Sequence, residues 1–308
     1  MKRKDSLVSV VIPCYNSEKY IEPSISALKC QSYQNWEAIF VNDGSWDSTE
    51  ELLQEASLLD DRIRHYSQPN QGAAKARELG ISKATGDLIV FLDVDDTLEF
   101  KALEIMVDAF ERDVDIVVAG YNFVKSNQIV GYRIWNKDLL GNVTYLKKLL
   151  SGCYSWELWA KMYRRELFDK PLEIPSEIRI GEDAAVFIQL VCRSRKVRIL
   201  SDRVYNYIQY PQSASHVKTE KYAEETLQAA FFIENLLKKV PFYEQIRKEI
   251  DAMFLLFYSN SSRKKRLKHS HPLVSKLWKE HFNLSAFHKI PFYKAVYISL
   301  HYLCGFCR

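Results

Sequence analysis

Three carboxylates fall within four positions of the 308-residue chain, at Asp93, Asp95 and Asp96, directly after the apolar run 88–92. Side chains this close repel one another when ionised unless a cation sits among them. Oxygen-only ligands favour Mg²⁺ or Mn²⁺, usually shared with a phosphate. The same acidic turn also suits the cap of a following helix. Other polar groups end neighbouring apolar runs: Tyr15 and Asn16 after 8–12, and Asp43 after 36–41. Farther on, Glu182 and Asp183 follow Gly181 at the start of a helical pattern. Acids there favour the positive end of a helix dipole, whatever else they do.

The elements that must position these groups alternate over residues 1–120. Short β-branched runs at 8–12, 36–41, 63–66, 88–92 and 116–119 read as strands. Helical patterns at 18–29, 48–59, 72–84 and 100–110 lie between them. Ser48 with Glu51 reads as a capping box. This order predicts a doubly wound, mostly parallel α/β sheet with helices on both faces. Such sheets bind ligands at the carboxyl ends of their strands, where the polar groups above converge. Beyond about residue 121 aromatics thicken, and from about 220 the pattern is helical only. The expected organisation is residues 1–120 and 121–218 as two halves of one domain, with 219–308 as a helical extension.

With 47% hydrophobic and 27% charged residues, the composition is that of a folded globular protein. Net charge is +4, unevenly spread: from Ser259 onward ten Lys/Arg meet one acid, Glu280, so that segment carries +9 and residues 1–258 carry −5. Residues 261–271 hold five of those cations and no acid, and 290–306 are rich in Tyr, Phe, Leu and Ile. That combination suits a helix lying in an anionic membrane interface, or else a helix packed on the body with its basic run solvated. Six cysteines show no pairing framework, which fits a reduced compartment, and Cys304-x-x-Cys307 stands alone. No run of about 20 apolar residues supplies a spanning helix, and the N-terminal apolar run is too short for a signal peptide. No nucleic-acid partner is expected.

The segments VSVVIPCYN, VNDGSWDST, NQGAAKARELGISKATGDLIVFLDVDD and GEDAAVF, in this order over residues 6–215, resemble the family 2 glycosyltransferases of the GT-A fold. The resemblance implies a nucleotide-sugar donor, UDP-linked by preference, and a saccharide or lipid-linked saccharide acceptor. It implies inversion at the transferred sugar and a place in bacterial surface-polysaccharide synthesis. It makes Pro13, Tyr15, Asp43, Arg77 and Asp93 donor-binding residues, with Asp43 accepting from the uracil N3–H. Asp95 and Asp93 match the family's metal-holding pair, and Asp96, Glu182 and Trp159 fall at acceptor or supporting positions. Asp183 matches the general base that takes the acceptor hydroxyl's proton. Ser213, Ser215 and His216 match a tail that some members lay over the diphosphate. Where the family often has Ala-Arg-Asn, this chain reads Ala76-Arg77-Glu78. The expected location is the cytoplasm, peripheral at the inner face of the membrane through the C-terminal tail.

Two other readings compete. Asp93-Val94-Asp95-Asp96-Thr97 also fits the DxDxT of haloacid-dehalogenase-like phosphatases, but that signature opens its domain, and here three strand–helix units precede it. A non-catalytic nucleotide-binding scaffold would share the fold. A dinucleotide dehydrogenase is excluded, because no GxGxxG follows the first strand.

Overall fold

The structure is a computed structural model, and it describes residues 5–174, 180–210, 219–262, 267, 270–291, 293–296 and 298–299. The chain divides into two compact units: residues 1–141, 158–171 and 193–211, and residues 142–157, 172–192 and 212–308.

The first unit is built on one mixed sheet of ten strands. Its opening strands are β1 (Val8–Cys14), β2 (Trp36–Asn42), β3 (Ile63–Ser67) and β4 (Leu88–Phe91), alternating with α1 (Glu18–Lys29), α2 (Thr49–Leu59) and α3 (Ala73–Lys83). β1, β2 and β4 are buried along almost their whole length. A strand covered on both faces reads as continuous apolar sequence rather than as an alternation. β1 pairs parallel with β2 and β4, starting Val8↔Trp36 and Val8↔Leu88, and β2 pairs parallel with β3.

The second half of this unit departs from strand–helix alternation. It holds β5 (Thr97–Leu98), α4 (Ala102–Asp108), β6 (Val114–Lys125), β7 (Gln128–Arg133), β8 (Asp138–Gly141), β9 (Lys161–Arg164) and β10 (Lys196–Ile208). β9 enters antiparallel between β4 and β6, and β10 lies parallel to β6 on its other side. The spatial order is β3-β2-β1-β4-β9-β6-β10-β5, with β7 on β6 and β8 on β10. The sheet core joins Val10, Ile12, Phe40, Val90, Leu103, Val117, Met162 and Tyr205, among others.

The second unit is helical: α5 (Asn142–Leu150), α6 (Glu182–Arg193, whose last residue passes to the first unit), α7 (Glu220–Leu237), α8 (Tyr243–Ser262), α9 (Pro272–His281) and α10 (Leu284–Phe287). Ala223, Leu227, Ala230, Ile233, Ile250, Met253 and Phe254 are buried on α7 and α8. Val274, Leu277 and His281 are the buried residues of α9, and the His281 ring stacks on Phe254 at 3.7 Å. The segment 272–290 is thus a packed part of this unit. The basic positions 263–266 and 268, the aromatic positions 292, 297, 300 and 301–308, and the Cys304–Cys307 pair lie outside the described residues.

Candidate active site

The carboxyl ends of β1, β2 and β4 gather the donor-side residues. Pro13 lies in β1 opposite Val41, and Tyr15 follows it, 49% exposed. Asn16 takes φ +49° and knits two loops together: its N–H donates to Ser45 Oγ at 2.9 Å, and its Oδ1 accepts from Trp46 N–H at 3.1 Å. Such a left-handed conformation is tolerated best by glycine and asparagine. The next helix is not capped as its sequence suggests. Ser48 makes no side-chain cap bond, and Asp47 Oδ1 instead accepts from the Thr49 N–H and hydroxyl. A carboxylate one position earlier outcompetes a hydroxyl, because bonds to ionised acceptors are stronger.

Asp43 ends β2 and is buried. Its Oδ1 accepts from Gln68 Nε2 at 2.7 Å and Gln71 N–H at 2.9 Å, and its Oδ2 accepts from Gly72 N–H at 2.8 Å. A carboxylate offers about four lone-pair sites, so among the described residues Oδ2 retains room for one more donor. From α3, Arg77 reaches Asp93 with Nη2 2.8 Å from Oδ1, and the guanidinium is buried.

The acidic turn is asymmetric. Asp96 is buried and doubly bonded, accepting from the Tyr205 hydroxyl at 2.7 Å and the Ile208 N–H at 2.7 Å. Tyr205 in turn accepts from the Asp93 N–H at 3.2 Å. Burial, then the charge of Asp93, push the Asp96 carboxyl up to about 8. Asp95 is only half-buried, and burial followed by the charge of Asp93 raises it as well. Asp96 therefore ties the end of β4 to β10. Asp95 and Asp93 supply the carboxylates left for a ligand. Among the described residues no cluster of three or more ligating side chains surrounds a metal position. Two carboxylates with mutually raised ionisation fit a divalent ion that draws its remaining ligands from a bound diphosphate.

Trp159 is 7% exposed and lies in an aromatic stack, 4.7 Å from Tyr205 and 5.5 Å from Tyr207 with near-parallel rings, and edge-on to Tyr121 at 4.7 Å. It buttresses the tyrosine that holds Asp96. Tyr205 is the residue that sequence reasoning missed. The signal available was a second acid beside the Asp93/Asp95 pair, which needs a buried donor from elsewhere in the chain.

In the helical unit, Glu182 and Asp183 are the first two residues of α6, both half-buried. Gly181 precedes them at φ +89°, and a Cβ there would stand 2.7 Å from the Ala229 Cβ of α7. Only glycine meets both demands. Ser213, Ser215 and His216 lie outside the described residues.

Residues 9–172 match the model of the glycosyl transferase family 2. Among relatives, the uncharacterized glycosyltransferase EpsJ of Bacillus subtilis is 30% identical over 234 residues, 73% of this chain and 67% of that protein. TuaG of the same organism, a glycosyltransferase provisionally named for teichuronic acid biosynthesis, is 38% identical over 188 residues, 60% of this chain and 72% of its own length. The crystal structure of S. aureus TarS 1–349 in complex with UDP-GlcNAc superposes with a TM-score of 0.67 at 18% identity, covering 93% of this chain and 82% of that one, and so shares its GT-A fold. A strand end carrying two half-satisfied carboxylates, an arginine on one of them, and a family match over more than half the chain belong together: this chain is a glycosyltransferase of family 2.

Proposed function

We propose that the protein transfers a sugar, with inversion, from a UDP-sugar to a saccharide or lipid-linked saccharide in bacterial surface-polysaccharide synthesis. The observation that carries the reading is the acidic end of β4, where Asp95 and Asp93 remain for a ligand while Asp96 is consumed by Tyr205 and Ile208. The names of TuaG and of the TarS complex support the polysaccharide context and the UDP donor.

Asp43 would receive the base N3–H on its remaining Oδ2 lone pair, with Pro13 and Tyr15 beside the base. Arg77 would place positive charge near the diphosphate, sharing it with Asp93. Asp95 and Asp93 would hold Mg²⁺ or Mn²⁺, which supplies Lewis-acid neutralisation of the leaving nucleoside diphosphate. Asp183 would take the acceptor hydroxyl's proton as that oxygen attacks the anomeric carbon from the face opposite the departing UDP. Glu182 would support it, and residues 121–218 would contribute the acceptor side. No described helix is long and apolar enough to cross a membrane. A peripheral position at the inner membrane face is part of this proposal.

The test is a thermal-shift screen of nucleoside diphosphates and their sugars, each with and without Mn²⁺ or Mg²⁺. Saturation at 100 times Kd adds about 2.7 kcal/mol to the stability of the bound state. UDP compounds should shift the melting point, and more with metal. No shift with any nucleoside diphosphate plus metal would sink the reading.

A further inference from the structure

The β6–β7 hairpin turns at Ser126 and Asn127, which take φ +48° and +60°. Positive φ at both central positions marks the tight hairpin turn that matches strand twist. β7 pairs with β6 alone among the described residues, so its outer edge is open. On and just beyond it, Ile129, Val130, Tyr132 and Ile134 stand 55%, 58%, 59% and 46% exposed. Isolated exposed apolar residues need no explanation. Four within six positions of an open edge strand do, because such edges are ordinarily guarded by charge, proline or bulges.

The charges around this patch have one sign. Residues 116–137 contain Lys125, Arg133 and Lys137 and no acid. Lys137 meets Asp202 at 3.5 Å, whereas Lys125 and Arg133 form no ion pair among the described residues. From β10, the Arg203 guanidinium lies 5.1 Å from the centre of the exposed Tyr132 ring.

We propose that this hairpin is a docking surface for an anionic lipid bilayer. The apolar side chains would enter the interface, with Lys125, Arg133 and Arg203 against headgroup phosphates. A second copy of the chain fits less well, since pairing two β7 edges would set three cations against three.

The hairpin rises from the end of β6 beside β10, where Val124 pairs with Ile208, the residue whose N–H holds Asp96. A docked bilayer would therefore lie toward the carboxyl ends of the strands, the edge that a lipid-linked acceptor must reach. That consequence rests on the transferase reading; the docking itself does not.

The experiment is co-sedimentation of the full chain with vesicles of phosphatidylcholine alone or mixed with phosphatidylglycerol. Lys125→Glu/Arg133→Glu should lower partitioning onto the mixed vesicles about 30-fold or more. Ile129→Ser/Val130→Ser should lower it as well, and leave a residue of binding that salt abolishes. All four positions are exposed, so melting temperatures should hold; if one variant melts early, the other carries the test. The UDP-plus-metal thermal shift should persist in both, which separates failure here from failure of the transferase reading. Lys264→Glu/Lys265→Glu in the C-terminal basic run should retain most of the binding. The proposal is overturned if the wild type ignores anionic vesicles or if both hairpin variants sediment as it does. It is also overturned if light scattering finds a dimer that Ile129→Ser/Val130→Ser dissolves while vesicle binding stands.

Discussion

Carboxylates are buried in both units, and the two sets are partnered in opposite ways. In the helical unit Glu234 has Lys238 at 3.1 Å and His281 Nε2 at 3.6 Å, while His281 Nδ1 meets Asp251 at 3.1 Å. Nearby, Glu249 meets Lys289 at 2.5 Å. Burial opposes charge on these groups, yet the hydrogen bonds win: Glu234 is lowered, and His281 is raised by Asp251 and Glu234. In the sheet unit the acids of the β4 turn have one cation among the described residues, Arg77 on Asp93, and both Asp95 and Asp96 are pushed up. The first set is balanced by the chain itself and holds helices together. The second is in deficit, and a site short of positive charge is where an external cation and its phosphates gain most.

The comparison breaks most visibly in activity. Asp183→Asn keeps the size of the side chain and removes the base, and should cost about 10² to 10⁴ in transfer rate. The UDP-plus-metal thermal shift should remain near normal. Asp95→Ala should lose both. Transfer at the wild-type rate by Asp183→Asn would remove that residue from the proposed mechanism.

The balanced cluster should fail in stability instead. His281→Ala leaves Glu234 and Asp251 buried beside each other without their bridge, and breaking a buried pair from one side costs about 3–5 kcal/mol. The pH sign follows from the raised imidazole. Its contribution is fully present below the ordinary histidine value near 6.5 and fades as pH rises through the higher folded value. Urea midpoints of wild type and variant should therefore converge with increasing pH. A gap that stays constant through that range would show that packing on Phe254, not charge, is what His281 supplies.

The sequence makes the donor edge readable because its information is local. Each of β1, β2 and β4 is a contiguous apolar run ending in its own polar residue, and α1 spans the expected residues 18–29. What closes the site is not local. β9 and β10 are short or irregular in pattern, and their partners lie far along the chain: Tyr205 is 109 positions from Asp96. No period in a window can announce such a bond. The capping box misreads for the converse reason, two local acceptors competing for one N–H. The C-terminal segment divides the same way. Its helices are legible from spacing, whereas the burial of His281 between acids of α7 and α8 is a tertiary fact. A histidine in a basic stretch reads as surface.

The smallest expected effect is the sharpest test of the contrast, because it has opposite signs in the two units. A group whose ionised form is disfavoured by its surroundings detracts from folding at neutral pH, and one whose ionised form is favoured adds to it. Asp95→Asn removes a carboxylate that burial and Asp93 both penalise. It should stabilise the ligand-free protein by about 1 kcal/mol, in the range typical of relieving strain at a functional site, while abolishing the extra shift that metal adds with UDP. Glu234→Gln is the matched change in the balanced set. It removes a charge that His281 and Lys238 hold in its ionised form, and should destabilise. Chemical denaturation of both variants at neutral pH, without ligand or metal, reads the two signs directly. If Asp95→Asn destabilises as Glu234→Gln does, the carboxylates of the β4 turn are structural like those of the helices. The charge deficit would then lose its meaning as a binding site.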